Sequence, residues 1–195
     1  MSKREIIDFF DGFAPRWDAD LVRDEEVIKT ILDNADIKAG ASVLDVACGT
    51  GVLVPDYLER AVASVTCVDI SPRMIAHARR KFSHLHKVHF ICEDVESAHF
   101  TSPFDCIVVY NSFPHFFQAT SLIEKLAGDL KTGGRLTIAH GMSREKINSH
   151  HSGSASKVSI KLMHEDELEK RFETFVSVTA KISNDRMYQL VGVKR

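Results

Sequence analysis

The 195-residue sequence predicts an α/β fold: a doubly wound, seven-stranded mixed sheet closed by a C-terminal antiparallel hairpin. Three observations lead there. Five short apolar runs recur at 42–47, 65–69, 88–92, 105–110 and 135–140, too continuously apolar for a sheet with one wet face. Amphipathic stretches at about 50–60, 72–82 and 119–131 separate them, as parallel strands joined by crossover helices require. Two alternating runs, 174–182 and 187–193, are joined by four residues only, too few for a crossover, and so pair antiparallel.

Local signals agree with this order. Ser71 before Pro72 places an N-cap residue ahead of a proline at the first helical position. The stretches 36–40 and 131–134 end in glycine and read as helix stops before strands. Residues 141–157 are polar and rich in serine and histidine, and read as a long loop or a short irregular helix. A helical pattern follows over 164–172.

Composition narrows the function classes. With 44% hydrophobic and 27% charged residues the chain is an ordinary globular sequence of single-domain length, which excludes collagen-like, disordered and disulfide-scaffold classes. Lysine and arginine number 25 against 27 acids, a net charge of −2, so there is no basic footprint for nucleic acid. The densest basic run, Arg79 to Lys81 with His84, His86 and Lys87, reads as a solvated helix face. Cys48, Cys67, Cys92 and Cys106 form no CxxC pair and sit in or at the end of apolar runs, as buried thiols do. No window approaches the eighteen or so apolar residues of a membrane span, and the first residues are charged where a signal peptide is apolar. A cytoplasmic protein is expected; no feature sets its oligomeric state.

The candidate site begins where the first strand meets its helix, at Asp45-Val46-Ala47-Cys48-Gly49-Thr50-Gly51. Glycine belongs there if a ligand comes too close to the backbone for a Cβ, or if the turn needs positive φ. Asp69 ends the second strand and Asp94 follows the third, so three acids stand at the carboxyl ends of consecutive strands, the edge where open α/β sheets bind ligands. A carboxylate at Asp69 can accept from ribose hydroxyls, and one at Asp94 from an adenine amino group. The dinucleotide fingerprint fails at Val54, where it needs glycine, and no Gly-Lys-Ser/Thr phosphate loop is present. An adenosyl cofactor without phosphates fits better.

With these segments, together with 130–136 and the N-terminal Phe9-Phe10-Asp11-Gly12-Phe13-Ala14-Pro15-Arg16-Trp17-Asp18, the chain resembles the class I S-adenosylmethionine-dependent methyltransferases. It is most similar to their ubiquinone/menaquinone-biosynthesis-like branch, with Trp17 where a tyrosine is common and Ala47 where a glycine is frequent. The resemblance implies a Rossmann-like domain over 1–195: an N-terminal helical lid (1–35), a cofactor-binding core (36–140) and an acceptor-side loop, helix and hairpin (141–195). It implies S-adenosylmethionine as cofactor, with Asp45, Ala47, Gly49 and Gly51 around its amino-acid part and Asp69 on the ribose. Ile70 and Met74 would pack the adenine, Asp94 and the Val95 amide would bind its edge, and Asn111 would approach the methionine moiety. Phe9, Phe13 and Trp17 would form the lid.

Methyl transfer from a sulfonium needs alignment more than covalent catalysis, and a base only if the acceptor carries a proton. His115, His140, His150 and His151 are expected to converge on the acceptor edge, as a general base or acceptor-binding group, as ligands of a divalent metal, or as incidental hydrogen-bonding residues. His77, His84, His86, His89 and His99 read as surface. A small-molecule methyltransferase is the leading expectation. A non-catalytic adenosyl-cofactor-binding regulator and a protein side-chain methyltransferase stay open.

Overall fold

A computed structural model describes residues 2–150 and 154–195. The seven strands are β1 (Ser42–Val46), β2 (Ser64–Asp69), β3 (Val88–Cys92), β4 (Phe104–Tyr110), β5 (Leu130–His140), β6 (Val176–Ser183) and β7 (Tyr188–Lys194). They form one sheet in the order β3-β2-β1-β4-β5-β7-β6, the first five parallel and β7 antiparallel to both of its neighbours. The expected seven-stranded mixed sheet with a terminal hairpin is thus present. The strand order reverses between β1 and β4, so the crevice of a doubly wound sheet opens at the carboxyl end of β1.

The helices divide between the two faces. Along β1, Leu44 and Val46 point into a cluster with Ile107, Val109, Leu136 and Ile138, covered by α6 (Ala119–Gly128) and α8 (Glu165–Phe172). Val43 points the other way, with Val65, Cys67, Cys106 and Val108, beneath α3 (Glu25–Asn34), α4 (Val54–Glu59) and α5 (Pro72–Phe82). Both faces are dry, which is why the strands read as continuous apolar runs. Gln189, fully buried on β7, donates to the Ile31 carbonyl at 2.9 Å and accepts from Asn34 Nδ2 at 2.9 Å, satisfying its amide and tying α3 to the hairpin.

Two boundaries differ from expectation. The helix after β1 starts at Val54 rather than about residue 50, because Gly49 and Gly51 have φ of +56° and +80° and the chain cannot be helical there. β5 begins at Leu130, so the glycine pair Gly133 and Gly134 lies inside the strand, beside a register shift between Phe104 and Cys106 of β4. Before α3 come α1 (Lys3–Phe13) and the short α2 (Trp17–Asp20); α7 (Arg144–His150) lies within the polar stretch after β5. Among the described residues no helix is long and apolar enough to cross a membrane.

Candidate functional site

The pocket sits at the carboxyl ends of β1, β2 and β4, with its floor made by the loop after β1. Ala47, Gly49 and Gly51 all adopt left-handed backbone there. Asp69 braces this loop: its Oδ2 accepts from the Gly49 amide and its Oδ1 from the Ser71 amide, each at 2.8 Å. A Cβ at Gly49 would face Trp17 Nε1 at 3.8 Å, whereas one at Gly51 would press on Phe82 at 3.0 Å and Val54 at 3.3 Å. Gly49 therefore leaves room in the pocket, and Gly51 serves packing behind it.

Most of the expected cofactor residues line this pocket: Asp45, Ala47, Gly49, Asp69, Ile70, Met74, Asp94, Val95, Asn111 and Trp17, but not Gly51. Sequence reasoning missed Lys3, Cys48, Glu93, Glu96, Tyr110, Ser112 and Phe116. Lys3, Ile6 and Phe10 also line it, at the i, i+3, i+7 spacing of one helix face, a signal the sequence carried. Phe9 and Phe13 pair with each other instead, ring centroids 4.8 Å apart, and Arg16 lies over the Phe13 ring.

Charge is distributed unevenly in the pocket. Asp45, Asp69, Glu93, Asp94 and Glu96 gather toward β1, β2 and β3, and among the described lining residues the cation facing them is Lys3, which is paired with Asp94 and Glu96. Asp45 is 2% exposed and its Oδ2 has no hydrogen-bond partner among the described residues. Burial pushes its carboxyl up to about 8, against some relief from the Tyr57 hydroxyl, and the Asp69 and Asp56 carboxylates add to the rise. Burial likewise pushes Asp69 up to about 6, although the Ser71 and Gly49 amides pull it down. Such an acid-lined, partly unsatisfied wall suits a cationic ligand.

The opposite wall is aromatic, with Phe10, Trp17, Tyr110 and Phe116. His115 stands among them at the end of a 3-10 turn, its Nδ1 2.8 Å from the Val158 carbonyl. A carbonyl only accepts, so Nδ1 carries a proton, and in the neutral form of the ring the lone pair lies on Nε2. Asn111, at φ +53°, accepts from the Gly141 amide at 2.9 Å and holds the chain after β4 against that after β5.

Of the four histidines expected to converge, His115 is the one among the described residues that lines the pocket. His140 is fully buried, its ring 6.2 Å from that of Tyr188 on the neighbouring strand. It follows Ile138 by two residues and so shares that residue's inward face. His150 is exposed at the end of α7, and His151 lies outside the described residues. The described residues contain no group of three or more His, Cys, Asp or Glu arranged to hold a metal ion, so the expected divalent metal finds no ligand set among them.

Comparison with known proteins bears on this geometry. Residues 43–134 match a family described as a methyltransferase domain. A malonyl-[acyl-carrier protein] O-methyltransferase of Acetivibrio thermocellus is 33% identical over 133 residues, 67% of this chain and 47% of that protein. A ubiquinone biosynthesis O-methyltransferase of Xanthomonas oryzae is 34% identical over 109 residues, 52% of this chain and 43% of that one. The chain thus spans about half the length of the curated relatives it matches. Among solved structures, the N-methyltransferase NodS of Bradyrhizobium japonicum, in complex with S-adenosyl-L-homocysteine, superposes with a TM-score of 0.77 at 13% identity. That match covers 100% of this chain and 99% of that one, a likeness of fold.

Proposed function

We propose that this chain is a class I S-adenosylmethionine-dependent methyltransferase of the ubiquinone/menaquinone-biosynthesis-like branch and that it methylates a small-molecule acceptor. The observation that carries the reading is the acid-lined pocket over the glycine loop, with the buried Asp45 Oδ2 lacking a partner. In this reading Asp45 takes the ammonium of the cofactor's amino-acid part, and Gly49 leaves space for it beside Trp17. Asp69 holds the ribose with the acceptor sites its oxygens retain after binding two amides, since each carboxylate oxygen can accept twice. Met74 and Ile70 pack the adenine, and Asp94 and Val95 meet its edge.

When bound, S-adenosylmethionine supplies a methyl group activated by a sulfonium. The protein's contribution is alignment and dryness. Holding reacting atoms in line about 3–3.5 Å apart is worth roughly 7–11 kcal/mol of barrier, and α1 and Trp17 cover part of the pocket against water. Aromatic faces at Phe10, Trp17 and Tyr110 favour a cation by about 0.5–2 kcal/mol. His115 Nε2 serves as the base for an acceptor that must lose a proton, with the Val158 carbonyl, from the acceptor-side segment, fixing the tautomer. His115 alone of the four expected histidines is retained in this role.

The test has two stages. Calorimetry with S-adenosylhomocysteine should show binding at one site per chain, and a protein that binds none overturns the reading. A methyl-transfer screen over small phenols, carboxylic acids and amines then finds the acceptor. With a hydroxyl acceptor, His115→Gln should lower turnover by about 10²–10⁴-fold while cofactor affinity holds within about twofold. Undiminished turnover removes His115 from the mechanism.

A further inference from the structure

Helix α1 touches both ends of the pocket. At one end Lys3 Nζ pairs with Asp94 Oδ2 and lies 3.0 Å from Glu96 Oε2. Seven residues on, about 10.5 Å along the helix axis, Phe10 sets its ring edge-on against His115, centroids 4.9 Å apart. Ile6 is the one fully buried side chain of α1, with Ile7, Phe9, Phe10 and Phe13 half-buried around it. Polar ties add to this packing: the Lys3 pair, and Asp11, which accepts from Ser71 Oγ at 2.6 Å and the Arg73 amide at 3.1 Å.

Building on the proposed assignment of the pocket's two ends to nucleoside and acceptor, we propose that Lys3 is a positioning residue. By pairing with Asp94 and Glu96 it seats α1 so that Phe10 packs on His115. Occupancy of the nucleoside end and order at the acceptor end are thereby coupled through one short helix. Lys3 is 54% exposed, and an ion pair that open to water is ordinarily weak. Here it bridges two carboxylates whose mutual repulsion it relieves, and it is the tie that holds the first turn of α1 to the segment after β3. Asp94 Oδ1 accepts from the Glu96 amide at 3.0 Å, and Oδ2 keeps a second acceptor site beside Lys3. An amino group arriving at Asp94 therefore shares Oδ2 with Lys3 and leaves the seat in place.

Two readouts test this, and one needs no ligand. The Phe10 ring displaces the His115 ring-proton resonances, so NMR of the ligand-free protein reports whether α1 is seated. The sole tryptophan, Trp17, lies 6.0 Å from the Phe10 ring and reports release of S-adenosylhomocysteine by stopped-flow fluorescence. Lys3→Ala should shift the His115 resonances and speed release roughly three- to tenfold. Lys3→Arg should restore both. Arg4→Ala, which removes only an exposed pair with Asp8 on the same helix, should change neither. Unmoved His115 resonances in Lys3→Ala, or equal effects of Lys3→Ala and Arg4→Ala, overturn the proposal. Shifted resonances with unchanged release overturn the coupling and leave a local tie. If the parent protein binds no S-adenosylhomocysteine, the proposed function fails, and the resonances alone decide the role of Lys3.

Discussion

Asp45 makes cofactor binding pH-dependent in a way that can be worked out in advance. Its carboxyl, raised to about 8 by burial, is protonated through most of the neutral range. An ammonium placed against Oδ2 favours the ionised form, so binding expels a proton wherever the free protein still holds one. At pH 6.5 only about 3% of the group is ionised, and at pH 8.5 about 75%, so the affinity for S-adenosylhomocysteine should rise roughly 25-fold, or about 2 kcal/mol, between them. Asp69, at about 6, is mostly ionised across this window and adds little. Calorimetry in buffers of different ionisation enthalpy should count close to one proton released per ligand at pH 6.5. Asp45→Asn should abolish both the slope and the proton. 5′-Methylthioadenosine, which has the nucleoside and no ammonium, should show neither. The same group acts on folding with a fixed sign: a raised carboxyl favours the native state fully below about pH 4, the unfolded value, and that contribution is lost as pH climbs through 8. A flat affinity profile in the parent, with Asp45→Asn indistinguishable from it, refutes the assignment of Asp45 to the ammonium.

Asp69→Ala should cost stability as well as affinity, because it orphans the Gly49 and Ser71 amides; about 1–3 kcal/mol is expected by urea denaturation, with Asp69→Asn milder. Gly51→Ala combines a left-handed φ with a Cβ pressed on Phe82, and should destabilise by about 1–3 kcal/mol in thermal or urea melts. Ala47, at φ +53°, already bears the strain that glycine would avoid. Ala47→Gly should therefore fall within about 0.5 kcal/mol of the parent in the same melts, strain relief offsetting added freedom of the unfolded chain, while Ala47→Val loses at least about 1 kcal/mol.

The sheet was legible because its strands are dry on both sides: Leu44 and Val46 serve one face and Val43 the other, so apolar residues run without a break. The floor of the pocket was legible for a related reason, since glycines between a strand and a helix carry a backbone requirement that other residues meet only at a cost. The burial of His140 was not, because a position at the end of a strand does not say which face the side chain takes. For His140 the alternation with Ile138 held the answer, and chain order alone was read. Lys3 escaped notice because a charged residue at the start of an apolar helix face looks like solvated surface until its partners on the β3 side are known. The extension of β5 back to Leu130 was hidden by two glycines that signal a turn in most sequences.

The placement of β7 between β5 and β6 has a consequence for how the molecule is made. β7 is synthesised after β5 and β6 yet lies between them, and β6, at the edge of the sheet, pairs with β7 alone among the described strands. Until it arrives, a nascent chain exposes β5 as a bare ladder and leaves Asn34 without the amide that anchors it. Assembly of this half must wait until β7 has been synthesised, and a chain stalled or clipped before it would be a sticky one.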